Sequence, residues 1–231
     1  MEKFDLIIIG SGPGGLACSA KSAELGAKVA IVEYSFVGGR LGIIPKISLI
    51  KAAEIKKLIN DAPQYGFNAT SKVKFDWETF KKKRDASLEN IVSAYEKRIP
   101  KAGIRLILGA AEFVTNDFIR VDNTMYEANH IVIASGSRQA LPSIPGVEYG
   151  TCVDDAFDFV NQPKNIAIVG AGSSGVEVAG MFNLIGTHVS IFYRHSCFLP
   201  KSDAMIGESL TENYVKDGVD IFVWFLNNFS H

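Results

Sequence analysis

The chain has little cysteine, little net charge and no long apolar segment. Its 231 residues include 3 cysteines, an odd number spread far apart, which favours reduced thiols over a disulfide framework. A formal charge of -1 at pH 7 excludes the strongly basic surface typical of nucleic-acid binding. No apolar run reaches the roughly 18 residues that cross a bilayer. We therefore expect a protein that binds neither nucleic acid nor membrane.

Signals for export and for metal binding are also lacking. The chain starts Met1-Glu2-Lys3 and enters an apolar strand at once, so we expect no secretion signal and a cytoplasmic location. Its 4 histidines lack ligand spacing and cysteine neighbours, so we expect no metal site. The basic run at residues 81–84 has acids on both sides in a helical pattern, and we interpret it as a solvated face.

A strand, helix, strand order occurs near the start of the chain and again in its last third. Apolar strands at residues 4–9 and 29–32 enclose a small-residue helix at 14–26. Such continuous apolar runs are typical of parallel strands that are buried on both faces. The same order recurs at residues 166–169, 175–185 and 189–193.

Further elements complete this pattern. Hydrophobic spacing predicts helices at residues 45–60, 76–99 and 203–216, with Asp76 able to cap the second. Short alternating pieces over 112–127 favour an antiparallel meander. Apolar strands are predicted at residues 104–108, 131–134 and 219–226.

These elements predict an α/β fold class with two Rossmann-like dinucleotide-binding units on parallel sheets. The first unit carries the antiparallel β-meander, and the second is incomplete. Prolines and a glycine interrupt the pattern between the units. We place a first domain at residues 1–138, a linker at 139–162 and a second domain at 163–231.

Each unit carries Gly-x-Gly-x-x-Gly between its first strand and its helix. In this motif the first glycine permits a tight turn, the second lets backbone N–H groups approach a pyrophosphate, and the third lets helix and strand pack closely. An isolated match is weak, but strand and helix flank both copies. The pair predicts a flavin enzyme that a nicotinamide reduces. The glycines are Gly10, Gly12 and Gly15, and then Gly170, Gly172 and Gly175.

The residues after the second strand of each unit differ in charge. Glu33 ends that strand in the first unit, where a carboxylate can accept hydrogen bonds from both ribose hydroxyls of an adenosine. Arg194 follows it in the second unit, where a guanidinium can pair with a 2′-phosphate, so we expect NADPH rather than NADH. The alternatives are an exposed strand-end glutamate and an ordinary surface arginine.

Segments along nearly the whole chain resemble the glutathione reductase and dihydrolipoamide dehydrogenase family of disulfide-reducing flavoproteins, with most likeness to the glutathione reductases. The resemblance implies FAD on the first motif and NADPH on the second. It rests on residues 5–17, 23–29, 38–39, 45–46, 65–67, 83–86, 130–136, 170–172, 176–177 and 194–195.

The resemblance also assigns individual cofactor contacts. Lys46 and Glu177 match a pair that lies beside the flavin ring in this family. The FAD contacts it implies are Gly10, Ser11, Gly12, Pro13, Gly14, Gly15, Glu33, Gly39, Arg40, Ala111, Ser135 and Gly136. The NADPH contacts it implies are Gly170, Ala171, Gly172, Ser174, Gly175, Glu177 and Arg194.

The departures from the family concern its chemistry. The family has a longer loop after Gly39 with two redox cysteines, and here Leu41 and Ile43 stand in the best-matching places. Thiol exchange needs a thiolate, so we expect no catalytic residue for disulfide reduction. The family's later domain, with its catalytic histidine and glutamate, is also outside this sequence.

Three hypotheses follow from this pattern. The first is a flavoprotein that still accepts hydride from NADPH. The second is a non-catalytic dinucleotide-binding protein, or a subunit that a second copy or another partner completes at the apolar strand over residues 219–226. The third is a truncated product that does not fold stably.

Overall fold

The computed structural model describes residues 1–38, 43–68, 73–137, 139–194 and 196–223, with the backbone alone for residues 43 and 44. Contacts divide the chain into two compact units. The first unit is Met1–Gly42 with Lys83–Ala140, and the second is Ile43–Lys82 with Leu141–His231. Residues 43–82 therefore group with the second unit, although we placed them in the first domain. The cofactor assigned to each domain stays a prediction, since a contact grouping identifies no ligand.

In the described part of the chain, the first unit contains a six-stranded mixed sheet in the order β3-β2-β1-β6-β5-β4. Strands β3, β2, β1 and β6 are parallel, whereas β6, β5 and β4 form the predicted antiparallel meander. The predicted α/β class is confirmed. The strands are β1 (Glu2–Ile9), β2 (Val29–Glu33), β3 (Arg105–Leu108), β4 (Ala111–Phe113), β5 (Phe118–Val121) and β6 (Thr124–Ile133).

Strand β6 differs from its prediction, because it is one continuous strand where we expected a meander piece and then a separate strand. Its first half pairs antiparallel with β5, for example Ile119 with Tyr126. Its other edge pairs parallel with β1 from Tyr126 to Ile133. The polar residues in its middle, Asn129 and His130, are exposed, so they interrupt the apolar pattern without burying a polar side chain.

The second unit contains, among the residues described, a three-stranded parallel sheet in the order β7-β8-β9. These strands are β7 (Asn165–Val169), β8 (His188–Tyr193) and β9 (Asp220–Val223). Register pairs Val169 with Phe192. The strand, helix, strand order predicted for this part of the sequence is confirmed.

The α-helices lie close to their predicted positions. Short 3-10 turns at Ala62–Tyr65, Val147–Tyr149 and Val153–Asp158 connect other elements. None of the helices in the described ranges is both long and apolar enough to cross a membrane. The helices are α1 (Pro13–Glu24), α2 (Ile43–Asp61), α3 (Trp77–Lys101), α4 (Ser173–Leu184) and α5 (Ala204–Lys216).

Helix α3 runs past Pro100, where we expected it to stop at Ile99. The proline stands in the last turn. It removes one donor there, but the Ala102 N–H still donates to the Arg98 carbonyl at 3.0 Å and the Gly103 N–H to the Pro100 carbonyl at 2.9 Å. A proline this close to a helix end therefore costs little.

Each unit has its own apolar core. In the first, the neighbouring residues Ile7 and Ile8 of β1 are both 0% exposed, so β1 is buried on both faces as predicted. In the second, Val189 and Ile191 of β8 pack in one cluster with Phe182 of α4. These cores hold the parallel strands rigidly, and the strand ends carry the candidate site residues.

Candidate functional site

The carboxyl ends of the parallel strands bring predicted site residues to one edge of the first sheet. The Gly10 N–H donates to the Val32 carbonyl at 2.8 Å, and the Ala134 N–H donates to the Ile9 carbonyl at 2.8 Å. Gly10, Glu33 and Ser135 therefore lie at or just after the ends of three neighbouring strands, at one edge of the sheet. Open α/β sheets bind ligands at this edge.

Two glycines of the first motif are required by packing. Gly10 has φ +107, and a Cβ built there would lie 2.3 Å from the Ala134 carbonyl oxygen. A Cβ on Gly15 would lie 2.0 Å from the Gly10 carbonyl oxygen. Glycine at position 10 lets the chain after β6 pass this close to the turn, and glycine at position 15 lets α1 start this close to the end of β1.

The other glycines of the motif face open space. A Cβ on Gly12 or Gly14 would meet nothing within 4 Å. Gly12 is the N-cap of α1 and Pro13 begins the helix. No described side chain accepts a hydrogen bond from the first turn of α1, so its amides and the positive end of its dipole are available to an anion. This cradle fits a diphosphate.

Glu33 is a buried carboxylate, 5% exposed, at the end of β2. Its Oε2 accepts from the Ser11 backbone N–H at 2.8 Å and from the Ser11 hydroxyl at 2.7 Å. Its Oε1 accepts from the Ser35 N–H at 2.9 Å. The alternative of an exposed strand-end glutamate does not describe this residue. Its predicted contact with ribose stays a prediction.

The second motif repeats the geometry of the first. Gly170 has φ +113, and its N–H donates to the Phe192 carbonyl at 2.8 Å. A Cβ on Gly175 would lie 2.3 Å from the Gly170 carbonyl oxygen, whereas one on Gly172 would meet nothing within 4 Å. Gly172 is the N-cap of α4, and no side chain among the described residues caps this helix. The second motif therefore has the same open glycine and uncapped helix start as the first among the described residues.

An exposed cation directly follows β8. Burial raises the pKa of Tyr193, with a further contribution from Cys197, so its hydroxyl stays neutral. The next residue, Arg194, is exposed and has no hydrogen-bond or ion-pair partner among the described residues. Because Val169 pairs with Phe192, Arg194 lies at the same edge of the second sheet as the second motif.

Lys46 of α2 and Glu177 of α4 form an ion pair within the second unit. Both side chains are half-exposed. A pair with this exposure contributes little to stability, about 1 kcal/mol or less. The resemblance paired these residues, and the structure brings them together.

Comparison with known proteins identifies the family. Residues 4–223 match the family model described as "Pyridine nucleotide-disulphide oxidoreductase". The chain belongs to this family. It is therefore a glutathione reductase-like pyridine nucleotide-disulphide oxidoreductase domain, as the sequence resemblance predicted.

Three curated relatives named glutathione reductase are similar to the chain. The protein from Schizosaccharomyces pombe is 38% identical over 94% of this chain, and the one from Yarrowia lipolytica is 34% identical over 94%. The protein from Nostoc is 35% identical over 94% of this chain. These matches cover 49%, 50% and 48% of the relatives, so the chain spans about half the length of the curated relatives it matches.

The remaining predicted site residues are distributed over the two units. Ala111 is half-buried at the start of β4, and Ser135 and Gly136 are exposed after β6. Ala171 is buried and Ser174 is exposed in the second unit. Gly39, Arg40, Leu41 and the side chain of Ile43 lie outside the described residues.

Sequence reasoning missed the contacts that surround Glu33. Ser35 and Gly38 both donate backbone hydrogen bonds into the network of Ser11 and Glu33. No sequence pattern could have found them, because they depend on the path of the loop after β2.

Sequence reasoning also missed an open cavity of about 420 Å³ beside α5. It is lined by Ser196, Cys197, Glu208, Thr211, Glu212, Val215 and Lys216.

Proposed function

We propose that the chain binds FAD on the first glycine motif and NADPH on the second, and that NADPH reduces the bound flavin. The observation that carries this proposal is the repeated cradle. Each unit has open glycines and an uncapped helix beside its strand ends, with a buried carboxylate next to one cradle and a free guanidinium next to the other. The family's pyridine nucleotide chemistry supports the same assignment.

In the first unit, the FAD diphosphate would bind to the amides at the start of α1, beside Gly12 and Gly14. Glu33 would accept from the ribose of the adenosine, since its Oε1 holds one described hydrogen bond and has room for another. Ala111, Ser135 and Gly136 would line the same edge of the sheet.

In the second unit, the NADPH diphosphate would bind beside Gly172 at the start of α4. Arg194 would pair with the 2′-phosphate, because a planar guanidinium binds phosphate with two parallel hydrogen bonds. Ala171 and Ser174 would lie next to the diphosphate. No described carboxylate takes the place at this strand end that Glu33 has in the first unit, which favours NADPH over NADH.

When both are bound, FAD and NADPH supply hydride chemistry, in which the reduced nicotinamide reduces the flavin. Lys46 and Glu177 hold each other in place and match the family pair beside the flavin. Residues 38–46 contain no cysteine. Disulfide reduction would therefore be lost, because this segment offers no thiolate to carry electrons from the flavin to a substrate disulfide.

A second candidate is a dinucleotide-binding protein without turnover that needs a second copy or another protein to complete it. The apolar edge of the second sheet favours it. Strand β9 pairs with β8 on one side, and no described strand pairs with its other side. Phe222 and Val223 are exposed there. An unpaired apolar edge is a ready surface for another chain.

Purification in the presence of FAD, followed by anaerobic addition of NADPH, tests the proposal. We expect a yellow protein whose flavin absorption bleaches with NADPH and much less with NADH. Yellow colour without bleaching would favour the second candidate. A folded, colourless protein that binds neither nucleotide would contradict both.

A further inference from the structure

Ser11 lies inside the first glycine motif, but its side chain is buried and hydrogen-bonded within the protein. The residue is 0% exposed. Its hydroxyl donates to Glu33 Oε2 at 2.7 Å and accepts from the Gly38 N–H at 3.0 Å. The Phe36 carbonyl oxygen is farther away, at 3.4 Å. The single hydroxyl proton is therefore committed to Glu33, and the buried side chain has no donor left for a cofactor.

The carboxylate of Glu33 is held asymmetrically. Oε2 takes both donors of Ser11, the backbone N–H and the hydroxyl. Among the described residues, Oε1 takes a single donor, the Ser35 N–H. A carboxylate oxygen has about two lone-pair directions, so Oε1 is the oxygen with capacity for a further donor. The contacts of Ser11 thus determine which oxygen remains available.

We propose that Ser11 is a positioning residue that fixes Glu33 so that Oε1 is presented to a ribose hydroxyl. The proposal deepens and rests on the proposed function, in which Glu33 binds the adenosine ribose of FAD. Without the hydroxyl, Oε2 loses its shortest donor and the carboxylate is free to turn toward other groups. Recognition of the ribose hydroxyl should then weaken, although the diphosphate cradle is unchanged.

Ser19 offers a matched control on α1. It is 1% exposed, and its hydroxyl donates to the Leu16 carbonyl at 2.9 Å within the same helix. It has no described contact with Glu33. Ser19→Ala therefore removes a buried serine hydroxyl without touching the network.

Displacement of bound FAD by ADP and by 2′-deoxy- and 3′-deoxy-ADP measures ribose recognition at the first site alone, because flavin fluorescence reports FAD release. We expect wild type and Ser19→Ala to prefer ADP over at least one deoxy analogue by about tenfold, the size expected for a hydrogen bond to a charged group. Ser11→Ala should reduce this preference to about threefold or less, and Glu33→Gln should do the same.

Two results would overturn the proposal. One is a Ser11→Ala variant that keeps the wild-type preference. The other is a uniform loss of affinity for ADP and both analogues, which indicates a merely structural role. Failure of wild type to bind FAD would instead contradict the proposed function.

Amide hydrogen exchange without any nucleotide tests the positioning independently. The Ser35 N–H donates to Glu33 and does not touch Ser11. If Ser11 fixes Glu33, Ser11→Ala should speed exchange at Ser35 by about tenfold, while Ser19→Ala leaves it unchanged. Unchanged exchange at Ser35 in Ser11→Ala would show that Glu33 keeps its position without the hydroxyl, and would overturn the proposal even if FAD does not bind.

Discussion

Glu33 ends the second strand of the first unit and Arg194 directly follows the corresponding strand of the second, and the two residues differ in both charge and environment. Glu33 is buried and held by three hydrogen bonds from Ser11 and Ser35. Arg194 is exposed and has no partner among the described residues. A preorganised acceptor suits neutral hydroxyls, whereas a free guanidinium suits a phosphate. The two sites should therefore select different adenine dinucleotides.

Replacing Arg194 tests this selectivity. Arg194→Ala should weaken NADPH binding by about 1.5 to 3 kcal/mol, because a charge-assisted hydrogen bond to the 2′-phosphate is lost. Binding of NADH, which lacks that phosphate, should change little. Isothermal titration calorimetry with both nucleotides measures the difference.

Arg105→Ala is a suitable control, since Arg105 is an exposed arginine on β3 of the first unit. It should leave the binding of both nucleotides unchanged. Equal loss of NADPH and NADH affinity in Arg194→Ala would show that the arginine does not read the phosphate.

Alanine substitutions at Gly12 and Gly15 should affect FAD affinity and folding stability differently. Gly12→Ala places its methyl group in open space, so stability should change by about 1 kcal/mol or less while FAD affinity falls. Gly15→Ala forces a Cβ to within 2.0 Å of the Gly10 carbonyl, and should destabilise the protein by about 2 to 3 kcal/mol. Urea unfolding and FAD titration measure the two effects. Equal destabilisation by both variants would contradict this division.

Helix α3 begins with an aspartate cap that responds to pH. The Thr79 N–H donates to Asp76 Oδ1 at 3.0 Å, and the Thr79 hydroxyl donates to Asp76 Oδ2 at 2.8 Å. These hydrogen bonds lower the pKa of Asp76. A carboxyl with a lowered pKa in the folded state contributes stability that is present above its unfolded pKa. That contribution is lost as the pH falls through the folded pKa.

Asp76→Ala should therefore lower the urea midpoint at neutral pH. The difference in urea midpoint between wild type and variant should narrow as the pH falls through the lowered pKa of Asp76. The reason is that the protonated wild-type side chain no longer accepts two hydrogen bonds. Urea unfolding of both proteins over an acidic pH series measures this. A gap that stays constant over the series would mean that the charged form of Asp76 is not the stabilising one.

The boundaries of α3 and β6 show which structural features local sequence patterns can predict. The start of α3 was predictable, because Asp76 is a strong N-cap residue directly before a helical pattern. Its end was not, since hydrogen bonds from Ala102 and Gly103 carry the helix past Pro100. Likewise, the continuity of β6 depends on the two strands that pair with its edges, which are distant in sequence.

The segment where the resemblance places the family's two redox cysteines carries none in this chain. Residues 38–46 contain no cysteine, and Cys18, Cys152 and Cys197 are free thiols. After anaerobic reduction by NADPH, we expect that glutathione disulfide leaves the flavin reduced. Ferricyanide should reoxidise it, which shows that the flavin itself is competent. Visible absorption follows both steps, and recovery of the yellow colour with glutathione disulfide would contradict the expectation.

The family and the α/β class followed from short-range features of the sequence. Buried parallel strands appear in the sequence as apolar runs, and each glycine motif stands between a strand and a helix. The charge at the end of the second strand of each unit comes from a single residue, Glu33 or Arg194. Each feature acts over a few neighbouring residues, so it is visible without coordinates.

Only the tertiary structure decided which residues meet across long stretches of chain. It placed residues 43–82 with the second unit, joined Lys46 to Glu177, and gave both donors of Ser11 to Glu33. These contacts depend on how strands and helices pack against one another. A side chain's partner is set by that packing, and local sequence patterns carry no information about it.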